Sequence, residues 1–321
     1  MEKIKIGISK CLLGVRCRYD KGHKEDRFIT HKMGKYFDFI PFCPEEEVLG
    51  TPRESIRLVS DDKGETIRVL GNKTKTDVTQ KLLDVSKDSI PLFKKNDISG
   101  FIFKAKSPSC GLYRVKLYRD DGHSLDKKVN GVFAQTIIDS FDYLPIEDEA
   151  RLNDSWLREN FIMELFCYSD LQNFLKSEPN MNDLVAFHTK YKFLLLSKNQ
   201  DKYYKIGKLV GNQDKLEFSE LLAKYREAFI SLISEKSNVK QNINVLQHIL
   251  GFLKDNLTKD EKKEILESFE QFSEHLIPLI VPIKILNLLV IKYDIEYLKN
   301  QIYLNPYPDD LALRSDVKAF K

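Results

Sequence analysis

The sequence predicts an α/β N-terminal domain built on a parallel, Rossmann-like sheet, followed by an all-α domain. Three observations carry this. First, β-branched and aromatic runs at Lys3–Ser9, Tyr36–Phe42 and Ile98–Lys104 read as strands. Second, each run breaks into loop chemistry around a cysteine: Cys11, Cys43 or Cys110. Third, beyond about residue 145 the short strands and Gly- or Pro-marked loops give way to long stretches with helical period.

Residues 1–145 are therefore expected to form the α/β domain and 146–321 the helical one. Within the first, Thr79–Lys87 reads as a helix between strands. Within the second, Asp154–Ser169, Met181–Leu196, Phe218–Ser234, Val239–Asn256, Lys259–Glu274 and Pro282–Leu298 read as helices. In Lys259–Glu274 the apolar residues Ile265, Leu266, Phe269 and Phe272 fall on one helical face. Asp154 and Thr258 are expected N-caps, and Asn305-Pro306-Tyr307-Pro308 ends regular structure. The apolar stretch Leu276–Ile291 is interrupted by Pro278, Pro282, Lys284 and Asn287, which argues against a membrane span.

The composition, 42% hydrophobic and 31% charged, is that of a globular chain rather than a disordered one. The N-terminus enters a strand directly, without the apolar core of a signal peptide. With that start, an odd number of cysteines points to a reducing compartment, hence a cytoplasmic protein using thiol or metal chemistry. Residues 1–145 hold 27 Lys and Arg against 21 Asp and Glu, whereas the remainder is net acidic. The basic half is the half with the cysteine motifs, which suits an anionic substrate and tolerates a nucleic acid. No Gly-rich phosphate loop is present; Leu209–Asn212 (LVGN) matches neither nucleotide fingerprint.

If the three strands lie parallel in one sheet, Cys11, Cys43 and Cys110 converge outside its carboxyl edge, where open α/β sheets place their sites. Three thiolates can hold a metal or cluster and leave one position open. A lone cysteine after a strand is more often a small buried hydrophobe. These three are set apart by their shared position, and by flanking Gly, Pro and Ser that let backbone amides face a sulfur anion. Cys17, in CLLGVRCRYD, follows a loop and is a secondary ligand candidate. Cys167, inside FIMELFC, reads as core packing. No CxxC spacing supports a zinc ribbon or a thioredoxin-like pair.

Cys43 is followed by Pro44 and by Glu45, Glu46 and Glu47. Glu45 can turn back over the site as a proton carrier, while Glu46 and Glu47 read as solvated surface. Lys104, Lys106, Ser107 and Ser109 precede Cys110 and are candidates to bind and polarise a substrate carbonyl or phosphate. Alternatively, the serines cap a helix starting near Gly111.

The segments CLLGVRCRYD, FCPEEEVLGTPRESIRL and FIFKAKSPSCGLYRVKLY resemble the thiouracil-desulfidase (TudS-like) domain. From Arg151 onward the chain resembles the YbgA-like helical domain commonly fused to it. That match rests on LRENF, FHTKYKFLLLS, LQHILGFLK, LIPLIVPIKIL and the QIYLNPYPDDLALR tail. The resemblance implies that Cys11, Cys43 and Cys110 bind a 4Fe-4S cluster with three protein ligands and one open iron. It implies that Glu45, the acid after Cys-Pro, and Ser107, the first serine of Ser-Pro-Ser-Cys, take part in catalysis.

Two-domain members resemble enzymes that remove sulfur from 4-thiouridine in tRNA, and single-domain relatives act on free thiouracil bases or nucleotides. The expected function is thus a hydrolytic, non-redox desulfidase acting on 4-thiouridine in tRNA. Small thiolated pyrimidines such as free thiouracil or 4-thio-UMP are the alternative. From another class, the chain would be a non-catalytic metal- or cluster-binding adaptor with Cys17 as a fourth ligand. The helical half would be a cap, or would bind tRNA phosphates if His188, Lys190, Lys192, Arg158 and Lys198 share a face. His248 and His275 fall at apolar helical positions and read as core histidines. The oligomeric state is left open. One departure concerns a double glycine often found after Arg-Tyr-Asp, where this chain has Lys21-Gly22. If that first position has positive φ, Lys21 strains the turn.

Overall fold

The structure is a computed structural model that describes residues 2–61, 66–311 and 313–316. Two compact units divide the chain, Met1–Asn153 and Asp154–Lys321.

The strands of the first unit are β1 (Ile4–Ser9), β2 (Phe37–Phe42), β3 (Ile56–Ser60), β4 (Ile67–Gly71), β5 (Phe101–Phe103), β6 (Val115–Tyr118), β7 (Ser124–Val129) and β8 (Ile146–Asp148). Its helices are α1 (Pro44–Leu49), α2 (Thr79–Asp88), α3 (Ile90–Lys95) and α4 (Val132–Ser140). Four strands form a parallel sheet in the order β2-β1-β5-β8. Ile4 lies opposite Phe37, Gly7 opposite Phe101, and Phe101 opposite Ile146. Residues 146–148, which the sequence reading assigned to the helical half, are therefore the edge strand of this sheet.

Central β1 is buried from Ile6 to Ser9, as a parallel strand covered on both faces must be. Gly7 has a packing reason: a Cβ there would meet the Phe101 ring at 2.2 Å. Phe101 stacks on Phe103 at a centroid distance of 4.2 Å and meets Phe93 edge-on, giving the sheet a buried aromatic core.

A second, mixed sheet has the order β4-β3-β6-β7 and was not foreseen from the sequence. Here β3 pairs antiparallel with β4 but parallel with β6, and β6 pairs antiparallel with β7 through an irregular register. Ile56, Leu58, Val69, Leu82, Val115 and Leu117 close a small core behind it.

The second unit is helical: α5 (Ser155–Lys176), α6 (Met181–Lys198), α7 (Gln200–Val210), α8 (Phe218–Ile233), α9 (Val239–Leu253), α10 (Lys259–Ser273), α11 (Ile280–Lys292) and α12 (Glu296–Lys299). Asp154 caps α5 by accepting from the amides of Trp156 and Leu157. Thr258 and Glu261 form a reciprocal capping box on α10. Among the described residues, no helix is long and apolar enough to cross a membrane. The tail match Gln301–Arg314 passes through Ala312, which lies outside the described residues.

Two expectations in this unit are corrected. His248 is exposed, because the buried face of α9 runs through Val245, Leu246, Ile249 and Leu253. His275 is also exposed, sitting past the end of α10 in a left-handed turn with φ 59°. The buried histidine of the unit is His188.

Candidate active site at the carboxyl edge of the parallel sheet

Adjacent strands β2, β1 and β5 run in one direction, so their carboxyl ends share an edge. Cys11 follows β1, Cys43 follows β2 and caps the start of α1, and Cys110 lies in the loop after β5. These three and Cys17 line one pocket of about 40 Å³, together with Glu45, Arg53 and Ser107. Cys17 is fully buried. Cys167 is buried in α5, within the other unit.

The sulfurs lie close together. The Cys43 thiol donates weakly to the Cys17 carbonyl at 3.9 Å. A hydrogen bond with Cys11 pushes the Cys17 thiol up to about 12, helped by burial. Contact with Cys17, then burial, raises the Cys43 thiol. Burial pushes the Cys110 thiol up to about 12, while hydrogen bonds from Ser9 and Ser109 partly offset it. Such thiols keep their protons at neutral pH until a cation displaces them, as metal binding to cysteine does.

Among the described residues, no group of three thiol, carboxylate or imidazole side chains is set to hold a single metal ion. A cluster asks something different, because its cysteines bind separate irons. The donor set is all thiol, matched to soft metals and iron–sulfur clusters. By donor chemistry and by convergence on one pocket, Cys11, Cys43 and Cys110 fit such a group.

Glu45, in the first turn of α1, points over the thiols and meets the loop before Cys110. Its Oε1 accepts from Ser109 Oγ at 2.5 Å and from Ser107 Oγ at 3.1 Å, and the two hydroxyls are 3.0 Å apart. Ser107 Oγ also accepts from the amides of Ser109 and Cys110, at 3.3 and 3.1 Å, so it shapes the loop that carries the thiol. Among the described residues no helix starts at Gly111, and the turn closes instead through the Gly111 amide on the Ser107 carbonyl at 2.8 Å.

From the other side α4 holds this loop. Its first amides donate to the carbonyls of Pro108 and Ser109. At its N-cap, a Cβ on Gly131 would lie 2.4 Å from the Ser109 carbonyl oxygen, so only glycine allows this approach.

The two lysines divide. Lys104 lines the pocket, but its ammonium is taken by the Glu149 carboxylate and by the Ala105 carbonyl at 3.1 Å. Lys106 is exposed and is not among the residues lining the pocket. Glu46, read as solvated surface, pairs with Lys10 at 2.6 Å.

Sequence reasoning missed two groups. Ser9 is buried at the end of β1, and its Oγ accepts from the Lys104 amide at 2.9 Å. Arg53 lines the pocket and bonds to Glu45 Oε2 at 3.0 Å. A polar residue ending a buried strand was the available signal for Ser9; an arginine in a loop gives none.

Thiols beside a carboxylate–hydroxyl cluster, at the carboxyl edge of a parallel sheet, make an arrangement chemically suited to soft ligands and to proton transfer. Through its first unit, the chain belongs to the 2-thiouracil desulfurase family, whose model matches residues 6–149. Residues 192–308 match a second family, described as a protein of unknown function (DUF1722). The uncharacterized protein YbgA of Escherichia coli (strain K12) is 21% identical over 157 residues, 49% of this chain and 93% of that protein. The uncharacterized protein YbbK of Bacillus subtilis (strain 168) is 30% identical over 114 residues, 32% of this chain and 71% of that protein. A solved structure described as the 4Fe-4S-dependent thiouracil desulfidase TudS is 25% identical. It covers 47% of this chain and 94% of its own, with a TM-score of 0.36.

Proposed function

We infer that the first unit is a desulfidase that replaces sulfur by oxygen in thiolated uracil, with 4-thiouridine in tRNA as its substrate. One observation supports the desulfidase chemistry above the rest: Glu45 Oε1 is held by Ser107 and Ser109 beside Cys11, Cys43 and Cys110. A structural metal site has no use for such a carboxylate.

In this reading Cys11, Cys43 and Cys110 would hold a 4Fe-4S cluster, which would supply thiophilic Lewis-acid chemistry toward the thiocarbonyl sulfur. Glu45 Oε1 accepts the proton of the attacking water and returns it to the leaving sulfide or ring nitrogen. Ser107 Oγ and Ser109 Oγ, which donate to Glu45 Oε1, hold that carboxylate in place and offer their lone pairs to a hydrogen of the attacking water. A C–O bond forms and the C–S bond breaks, with no net change of oxidation state. Free thiols at the centre suit a reducing cytoplasm.

A second reading, in which the substrate is free thiouracil or 4-thio-UMP, is favoured by the basic residues of the helical unit. His188 and Lys198 are buried rather than facing solvent. Lys198 donates to Asn160 at 2.8 Å, and Lys190 pairs with Asp170 at 2.8 Å. These residues form no common exposed face for phosphates.

The test is anaerobic. Protein reconstituted with iron and sulfide is incubated with 4-thiouridine-containing tRNA, with 4-thio-UMP and with 4-thiouracil, following loss of the thiocarbonyl chromophore. Cluster-dependent turnover of tRNA is the expected result. Turnover of the small molecules alone makes this a salvage enzyme. A four-ligand centre that includes Cys17, with no turnover of any of them, makes it a binding protein.

A further inference from the structure

We propose that Arg53 is the positioning residue of the site: it fixes which oxygen of Glu45 works on the substrate and ties the loop of Cys17 to the helix behind Cys43. This rests on the desulfidase reading given above.

The argument starts from burial. The Arg53 side chain is only 5% exposed, and a guanidinium stays charged at any pH at which a protein folds. A charge so placed needs an anion and acceptors around it. Glu45 is the anion: Arg53 Nη2 donates to its Oε2 at 3.0 Å. The other terminal nitrogen, Nη1, donates to the carbonyls of Cys17 and Gly50, both at 2.9 Å, and to Thr51 Oγ1 at 3.2 Å. The Arg53 amide also donates to the Tyr19 carbonyl at 3.2 Å. One side chain thereby joins the loop after Cys17, the turn that ends α1, and the carboxylate at the start of α1.

The consequence for chemistry lies in the division of the Glu45 carboxylate. Oε2 is taken by a permanent cation, while Oε1 faces two neutral hydroxyls that can release or share protons. A carboxylate free to rotate would present either oxygen, in either of two orientations. With Arg53 in place, one orientation persists, and it is the one that reaches Ser107 and Ser109. A lysine offers the charge but only a point donor. It cannot span Glu45, Cys17 and Gly50 with a planar fork.

Two measurements test this. The first needs no turnover: the crystal structure of Arg53→Gln, compared with that of the parent protein. The expected result is that Glu45 swings away and Oε1 leaves hydrogen-bond distance of Ser109 Oγ. A Glu45 that keeps both serine contacts overturns the proposal. The second is a kinetic cycle of Arg53→Gln, Glu45→Gln and the double variant. Misplacing a catalytic group is worth on the order of 100-fold, so Arg53→Gln should lower kcat on that scale with KM little changed. Arg53→Lys should recover part of it. In the Glu45→Gln background the same change should matter by no more than about twofold; losses that multiply overturn the proposal. Should Arg53→Gln fail to fold because it strands a buried carboxylate, the double variant, which removes both charges together, supplies the comparison. A parent protein that turns over no thiolated substrate would sink the desulfidase reading, while the crystal structures would still decide the role of Arg53.

Discussion

In the proposed mechanism Arg53 occupies Oε2 of Glu45, so proton transfer would fall to Oε1, where Ser107 and Ser109 converge. Glu45→Gln keeps the shape of the side chain but cannot accept that proton. Turnover should fall by about 10²–10⁴-fold, the usual share of general acid–base catalysis. The visible absorbance of the loaded protein should be unchanged, since no thiol is touched; a Glu45→Gln enzyme with full activity would remove this carboxylate from the chemistry. A second residue-scale consequence concerns Lys21, which does stand at positive φ, 59°, in the turn closed by its amide on the Arg18 carbonyl at 3.0 Å. A side chain in that region is strained by roughly 1 kcal/mol or more, partly offset by the greater chain entropy of glycine when unfolded. Lys21→Gly should therefore raise stability by about 0.5–1 kcal/mol, read as a shift in denaturant midpoint.

At the scale of elements, the loop from Ser107 to Cys110 is clamped between α1 and the first turn of α4. Gly131→Ala would put a methyl group 2.4 Å from the Ser109 carbonyl and push that loop off its seat. Overpacking of this kind is destabilising by about 1–3 kcal/mol. Iron content after reconstitution should drop together with turnover, and a variant that loads and works normally would show that the loop tolerates displacement. What could be read in advance follows from how each element is stabilised. The strands β1, β2 and β5 were legible because each is rich in β-branched or aromatic residues and leads into a loop or helix start that carries a cysteine. The second sheet was not: β7 is mostly exposed, with polar residues along its length, and β6 pairs non-locally with β3 and through an irregular register with β7. Helix α7 escaped because its sequence, QDKYYKIGKLV, is half polar, contains a glycine and buries only Ile206 and Val210. Arg53 was invisible for a different reason. In sequence a buried arginine looks like any solvated one, and only the folded turn after α1 reveals the carboxylate it faces.

For the whole molecule, acid stability is set in part by a buried group of the helical unit. Burial, and secondarily the charge of Lys192, holds the His188 imidazole down at about 4, below its ordinary value of 6.5. The unfolded chain therefore binds the proton first as pH falls. The sign is that stability present above pH 6.5 is lost between about 6.5 and 4, by on the order of 3 kcal/mol. Unfolding of the helical unit, followed by far-UV circular dichroism, should show this slope. His188→Gln should flatten it, and an unaltered slope would place the acid sensitivity elsewhere. The order of strands in the first sheet has a consequence in time. Because β1 lies between β2 and β5, with Gly7 opposite Phe101, the pocket cannot close until β5, the Cys110 loop and α4 have all left the ribosome. Much of the helical unit, which begins at Asp154, is still to be made at that point. Because domains fold as units, N-terminal first, during synthesis, the first unit can form on the nascent chain ahead of the helices. Delivery of iron and sulfide during synthesis would meet a folded receptor long before the last helix is translated.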